Sequence, residues 1–253
     1  MFAEERKAEI LQLMKIGQTV KVIELCQHFD VSESTIRRDL QEMEDEGLLQ
    51  RTHGGAILAQ SGYEFSFHEK EVRHLNEKQQ IAKYAASLVK DGETILLDAG
   101  TTTLEIAHFL QNRSITVGTN SMDIAQKFAD DATVEVLLIG GTFRKSPRSL
   151  VGYLANESLK RLHFDKVFLA ANGVDLLKGV TTPNATEAET KRYMMLAAEE
   201  RILAVDHSKL NQKSLCKICD LAELSFMITD QTVKAEVLKQ YEGKVKIHLA
   251  KEA

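Results

Sequence analysis

The strongest constraint on this 253-residue chain is an alternation of two periodicities from residue 77 onward. Segments with helical apolar spacing, at 78–90, 104–111, 121–129, 153–162, 186–199 and 232–241, are interleaved with short apolar runs. Those runs lie at 94–98, 115–119, 134–139, 166–171, 201–205, 224–229 and 245–249. Helices between strand-length apolar runs predict an α/β domain with a mostly parallel sheet. In open sheets of this kind ligands bind outside the carboxyl ends of the strands. The residues after each run are therefore the first candidates for a site.

After the first run comes Asp98-Ala99-Gly100-Thr101-Thr102-Thr103, then a helix. A glycine turn rich in hydroxyls at a helix start offers N–H and O–H donors to an anion. It lacks the lysine of a nucleotide P-loop, so ATP binding is not predicted. The same turn also reads as a plain strand-to-helix connection. Asn120 and Ser121 follow the second run, and Gly140-Gly141 the third. The fourth and the fifth end in Asn172-Gly173-Val174-Asp175 and Asp206-His207-Ser208-Lys209. Five strand ends with small, hydroxyl, amide, carboxylate or lysine residues point to a small anionic, polyhydroxylated ligand, a sugar phosphate.

The first sixty residues have a different pattern. Residues 4–16 carry Ile10, Leu11, Leu13 and Met14 on a helical stripe, and 22–29 carry Val22, Leu25, Cys26 and Phe29. Asp30-Val31 suits a tight turn, Ser32 is a good N-cap, and a third helix runs from Glu33 to about Glu46, ahead of Gly47. On that helix Ile36, Leu40 and Met43 share the inward face. Ser34, Arg38 and Gln41 fall opposite, flanked by Thr35 and Arg37. Arginine reads guanine in a major groove by a bidentate fork, and hydroxyls and helix N–H groups meet phosphates. Leu48 to Leu58, with Gly54-Gly55 at its centre, reads as two short strands forming a wing that carries Arg51 and His53. Geometry alone leaves two readings open: a DNA-binding helix-turn-helix, or an ordinary helical bundle with a surface arginine pair.

Val31-Ser32-Glu33-Ser34-Thr35-Ile36-Arg37-Arg38-Asp39-Leu40, then Gly47-Leu48-Leu49, then Arg51-Thr52-His53-Gly54-Gly55-Ala56, resemble the signature of DeoR-type bacterial transcriptional regulators. The resemblance implies a winged helix-turn-helix whose third helix enters the major groove, with Ser32, Ser34, Thr35, Arg37, Arg38, Gln41, Arg51 and His53 as the DNA-facing set. Residues 77–230 resemble the sensor domain of the same family, similar in fold to ribose-5-phosphate isomerases, glucosamine-6-phosphate deaminases and CoA-transferases. That similarity implies a phosphate loop at Gly100-Thr101-Thr102-Thr103 and matches Asn172-Gly173-Val174-Asp175 to the isomerases' Asp-Gly-Ala-Asp. It also implies a substrate-contacting lysine at Lys209 and a Glu-Lys pair near Glu189-Thr190-Lys191. Here Asn172 replaces a carboxylate, and Gly179 to Asn184 lacks the isomerases' lysine and glycine run. Loss of acid/base groups with retention of binding groups favours sensing over turnover.

The resulting expectation is a winged helix-turn-helix over 1–58, a linker over 59–76 that docks through Tyr63, Phe65 and Phe67, and an α/β effector-binding domain over 77–253. The expected effector set is Asp98, Gly100, Thr101, Thr102, Thr103, Asn120, Ser121, Gly141, Asn172, Gly173, Asp175, Lys191 and Lys209. The predicted function is a regulator, most simply a repressor of a sugar-utilisation operon. Its partners would be double-stranded operator DNA and a phosphorylated sugar, without cofactor, as a homodimer or homotetramer. One alternative is a sugar-phosphate isomerase or deaminase with a fused helical domain; another is a regulator that has lost ligand control.

Several smaller features bear on these expectations. The three cysteines make no disulfide framework. Cys216-Lys217-Ile218-Cys219 is a lone CxxC where zinc wants four ligands, and even with His207 and Cys26 as distant candidates its reading is two reduced thiols, one of them buried. His68, His74 and His163 show no metal-ligand spacing, so no metal site is predicted. Arg144, Lys145 and Arg148, around Pro147, either close over a phosphate or form a solvated loop. Met1 to Lys7 has no apolar signal core, and no run approaches the ~20 apolar residues of a membrane span, so a cytoplasmic protein is expected. The net charge is −5, and residues 1–58 hold 7 basic against 11 acidic side chains. DNA binding therefore requires its cations to be gathered on one face, and few phosphate contacts predict a shallow salt dependence.

Overall fold

The computed structural model describes residues 3–17, 19–45, 48–52, 54–58 and 67–250. The chain divides into two compact units, Met1–Tyr63 and Glu64–Ala253.

The first unit is built from α1 (Ala3–Gly17), β1 (Thr19–Lys21), α2 (Val22–Phe29), α3 (Glu33–Asp45), β2 (Leu49–Thr52) and β3 (Gly55–Leu58). Asp30 takes the left-handed conformation (φ 52°) and its N–H caps the α2 carbonyl of Cys26, which turns the chain sharply into α3. Ile36, Leu40 and Met43 are fully buried against Ile10, Met14, Val22 and Leu25, as the helical spacing requires. The β2–β3 hairpin pairs Thr52 with Gly55, and β3 also pairs with β1 in an antiparallel three-stranded sheet that the sequence pattern did not foretell. Gly55 is there for space: a Cβ at this position would lie 1.8 Å from the Val20 carbonyl oxygen.

The second unit begins with α4 (Phe67–Val72) and α5 (Leu75–Ser87), so the stretch read as linker is helical over most of 67–76; its preceding part, with Tyr63 and Phe65, lies outside the described residues. Then come β4 (Thr94–Leu97), α6 (Thr101–Phe109), β5 (Ile115–Thr119), α7 (Met122–Lys127), β6 (Val134–Leu138), β7 (Thr142–Arg144), β8 (Ser149–Val151), α8 (Tyr153–Leu159) and β9 (Phe164–Leu169). The chain continues through β10 (Gly173–Asp175), β11 (Gly179–Thr182), α9 (Ala185–Leu196), β12 (Ala198–Ala204), β13 (Cys216–Cys219), β14 (Phe226–Thr229), α10 (Ala235–Tyr241) and β15 (Ile247–Leu249).

Seven strands form one sheet in the order β15-β14-β12-β9-β4-β5-β6, and every pairing in it is parallel. Side chains alternate across it. Ile95, Leu97, Phe168, Ile202 and Ile228 pack with α5, α6 and α7 residues such as Ile81, Ile106 and Ile124. Leu96, Val167, Leu169, Leu203 and Met227 pack on the other face with Leu159, Met194 and Tyr241. From β4 the chain winds outward through β5 and β6, then returns to lay β9 on the other side of β4 and winds outward again. The strand order reverses between β4 and β9, and such a switch point opens a crevice at the carboxyl ends of the strands. A small antiparallel sheet, β10-β11-β13, and a β7–β8 hairpin complete the unit. No described helix is long and apolar enough to cross a membrane.

Candidate functional site

Just ahead of α3, Ser32 Oγ lies 2.8 Å from Ser34 Oγ and 3.0 Å from Thr35 Oγ1, and it accepts from the Thr35 N–H at 3.4 Å. The three hydroxyls thus gather at the helix start, where backbone N–H groups lack intrahelical partners. Arg37 is held by Glu33 one turn earlier (3.0 Å). Gln41 donates to Asp45 (2.9 Å) and accepts from the Arg51 guanidinium, joining the wing to α3. Arg38 is exposed and makes no hydrogen bond among the described residues. His53 lies outside the described residues.

The acidity of this unit is largely taken up internally. Asp39 is buried and receives two hydrogen bonds from buried Arg6, at 2.5 and 3.1 Å. Lys7 bridges to Glu42 at 2.6 Å, and Glu44 accepts from the Arg51 backbone N–H at 2.9 Å.

At the switch point of the second unit, Asp98 ends β4 and is 1% exposed. Its Oδ2 accepts from the Ala170 N–H beyond β9 (3.0 Å) and from the Lys191 ammonium of α9. Its Oδ1 is buried and has no hydrogen-bond partner among the described residues. Lys191 also donates to the Ala170 carbonyl (3.1 Å) and lies 3.5 Å from Glu187, whose other oxygen binds Arg144. Burial works against the Lys191 charge, but Asp98 and Glu187 outweigh it and raise its pKa. Asn120, beyond β5, accepts from the Ala99 N–H (2.9 Å) and donates to the Leu150 carbonyl (3.2 Å). Thr103 Oγ1 binds the Asp98 and Gly100 carbonyls at 2.5 and 3.0 Å. Gly100 has to be small, since a Cβ there would lie 2.5 Å from the Ala170 Cβ. It precedes α6 with no side-chain cap, which leaves the first N–H groups of that nine-residue helix for another acceptor. Asp98, Gly100, Thr103, Asn120 and Lys191 are thus one connected cluster, and Thr101 and Thr102 follow Gly100 in the first turn of α6.

A second polar group lies beyond β12. Asp206 is buried, its Oδ1 accepting from the Ser208 N–H (3.0 Å) and hydroxyl, and Lys209 donates to Ser208 Oγ (3.2 Å). Burial opposes the Asp206 charge, yet Lys209, Ser208, His74 and Lys78 together lower its pKa. Lys78 of α5 is itself buried. Its ammonium faces the carbonyls of Lys70, Glu71 and Arg73, and burial pushes its pKa down to about 8. His207 hydrogen-bonds to Asp230 through Nδ1, which raises its pKa, and the His74 ring stands edge-on to it with centroids 4.8 Å apart.

Other expected residues have more local partners. Ser121 caps α7 through the Ile124 N–H (3.3 Å). Gly141 meets β8, where a Cβ would stand 2.7 Å from the Val151 carbonyl oxygen. Asn172 accepts from the Thr182 hydroxyl (3.3 Å). Gly173 lies in β10 against the Gln212 backbone, and Asp175 serves the β10–β11 turn, accepting from the Leu177 and Lys178 N–H groups at 2.8 and 2.7 Å. Those bonds hold its carboxyl below the usual range. In the basic loop Arg144 is engaged by Glu187, and Arg148 forms a two-bond pair with Asp123 (2.7 and 2.8 Å). Sequence reasoning passed over Ser149, Glu187 and Lys78, whose burial depends on distant segments, and gave His74 no role beyond a structural or surface one.

A winged helix-turn-helix carried ahead of a doubly wound α/β unit defines a class, the DNA-binding transcriptional regulators with a sensor domain. The DeoR-like helix-turn-helix domain matches residues 6–62, and the DeoR C terminal sensor domain matches residues 73–231. The HTH-type transcriptional regulator GlpR of Haloferax volcanii is 38% identical over 245 residues, covering 96% of both chains. The lactose phosphotransferase system repressor of Staphylococcus aureus is 34% identical over 249 residues, covering 95% of this chain and 98% of its own. The chain belongs to the DeoR family of transcriptional regulators. Among solved structures, ribose 5-phosphate isomerase A of Methanocaldococcus jannaschii aligns over 53% of each chain with 20% identity and a TM-score of 0.39.

Proposed function

We propose that this regulator represses a sugar-utilisation operon and that a phosphorylated sugar, bound at the β4–β9 switch point, sets its affinity for operator DNA. The observation that carries the effector is the pairing of two unmet needs at one place. Among the described residues, Asp98 Oδ1 is a buried acceptor without a donor, and the start of α6, with no side-chain cap, offers N–H donors without side-chain acceptors. A sugar hydroxyl answers the first and a phosphate the second. Lys191 then acts by fixing the Asp98 carboxylate, since its ammonium is already surrounded by protein acceptors. Lys209 supplies a further cation from the β12 end.

For DNA, Arg38 is the base-reading residue, and the Ser32, Ser34 and Thr35 hydroxyls contact phosphate. Arg51 and Gln41 act as a linked unit where the wing meets α3. A homodimer or homotetramer would present two such helices to a two-fold operator. The relative named as a lactose phosphotransferase system repressor supports the choice of a sugar operon. Effector and DNA are coupled by linkage: the effector binds the DNA-competent and DNA-incompetent arrangements unequally and shifts the population between them.

The test is thermal melting of the full chain against a panel of sugar phosphates and their unphosphorylated parents. A rise in melting temperature with one phosphorylated sugar, without its conversion, is the expected result. Turnover of that sugar, or no shift across the panel, would refute the reading.

A further inference from the structure

We propose that His74, Glu77 and His207 bind one divalent transition metal ion, with Zn²⁺ the ion of choice. One ligand atom from each of the three comes within 4.8 Å of the other two, although His207 is 133 positions beyond His74 in the chain. Two imidazoles and a carboxylate are a donor set suited to zinc-class ions. Two of the three groups are not otherwise engaged: among the described residues, neither the His74 ring nitrogens nor the Glu77 carboxylate makes a hydrogen bond.

His207 is prepared for the role by a neighbour. Its Nδ1 faces Asp230, at 3.1 Å from Oδ1 and 3.3 Å from Oδ2, and Thr232 Oγ1 at 2.7 Å. Asp230 is buried and held in place by the His207 and Thr232 N–H groups at 2.7 and 3.0 Å. That arrangement places the proton on Nδ1 and leaves Nε2 as the free donor. A carboxylate on the far nitrogen of a ligating histidine fixes the tautomer and orients the ring, and it is a recurrent feature of zinc sites.

The local charge is compatible with a cation. Asp206 and Asp230 add buried negative charge on one side. Of the nearby cations, Lys78 points to backbone carbonyls and Lys209 to Ser208 Oγ. With metal–ligand bonds of about 2.0–2.2 Å the donor atoms must draw together by roughly an ångström. All three ligand residues are only half-buried and have room to do so. Three protein ligands leave a fourth position for water or an oxygen of a bound small molecule. The ion would tie the start of α5 to the ends of β12 and β14.

The experiment uses tag-free, full-length protein stripped with chelator and titrated with Zn²⁺ against a chromophoric competitor. One equivalent per chain is expected. His74→Ala, Glu77→Gln and His207→Ala should each weaken binding by more than the roughly 10–100-fold typical of losing an outer partner, and Asp230→Asn should weaken it within that range. His163→Ala and Cys216→Ser should retain the full equivalent. Melting of each metal-free variant reports its fold, and His74→Ala, at a half-buried position, keeps the test valid if His207→Ala fails to fold. Substoichiometric binding by the unaltered protein, a full equivalent in the His74→Ala/His207→Ala double variant, or loss with Cys216→Ser would overturn the assignment.

Discussion

The α3 face and the β4–β9 switch point both carry charge, but they handle it in opposite ways. On α3 the acids are paired inward or along the helix, through Arg6–Asp39, Lys7–Glu42 and Arg37–Glu33, while Arg38 stays exposed and makes no hydrogen bond among the described residues. At the switch point Asp98, Lys191 and Glu187 are all buried, Arg144 balances the second carboxylate, and Asp98 Oδ1 has no hydrogen-bond partner among the described residues. An exposed cation costs the fold nothing and waits for a polyanion. A buried ion pair is expensive to break and presents a small, shaped set of acceptors and donors. The difference separates a surface that meets DNA from a crevice that holds one small molecule.

If the contrast is right, Lys191→Ala is the most damaging single change. It strands Asp98 in the interior and should cost about 3–5 kcal/mol, read as a lower urea midpoint for the C-terminal unit. A midpoint within error of the unaltered protein would place Lys191 outside the structural framework of the site. Arg38→Ala should leave the melting temperature unchanged and weaken specific operator binding by about 1–3 kcal/mol per half-site. Footprinting or anisotropy checks this, and unaltered affinity would remove Arg38 from the groove. Lys209→Ala is a smaller perturbation, because its group is half-buried and held by one neighbour. Operator affinity in the absence of effector should persist while the response to effector shrinks, and a normal response would exclude Lys209 from the site. The smallest effect is chemical. Burial pushes the Cys219 thiol up to about 12, so it should resist a thiol reagent in native buffer and react only on denaturation.

How much of this was legible in the sequence follows the range of the interactions. In α2 and α3 the information is local. Ile36, Leu40 and Met43 name the buried face, Ser32 names the start, and Asp30 names the turn. The seven strands of the main sheet were equally visible, since each contains or borders a short apolar run. The segments that escaped are three- or four-residue strands such as β1 and β13, which exist because a distant segment pairs with them. The CxxC shows the same limit. Cys216 and Cys219 fall on β13 opposite Thr182 and Val180 of β11, with a register irregularity between them, and Cys219 lies in the core with Cys216 packed against it. All three thiols are free, and Cys219 is the buried one. The wheel set Arg38 opposite the core stripe but could not tell that Asp39 is buried, because its partner Arg6 lies on another helix. In the sensor unit the strand-end rule found Asp98, Gly100, Thr103 and Asn120. It also collected Asp175, whose carboxylate serves a turn. It missed the approach of His74 to His207, because no spacing in a sequence encodes a contact made through the fold.

The central claim is that occupation of the switch point changes operator affinity. The direct measurement is fluorescence anisotropy of a labelled operator fragment from the protein's own operon, titrated with protein at fixed salt with and without each sugar phosphate. The account predicts that one phosphorylated sugar shifts the dissociation constant by about 5–150-fold, that its unphosphorylated parent does not, and that Lys209→Ala diminishes the shift. Identical operator affinity with every compound in the panel, or an equal effect of the unphosphorylated sugar, would contradict it.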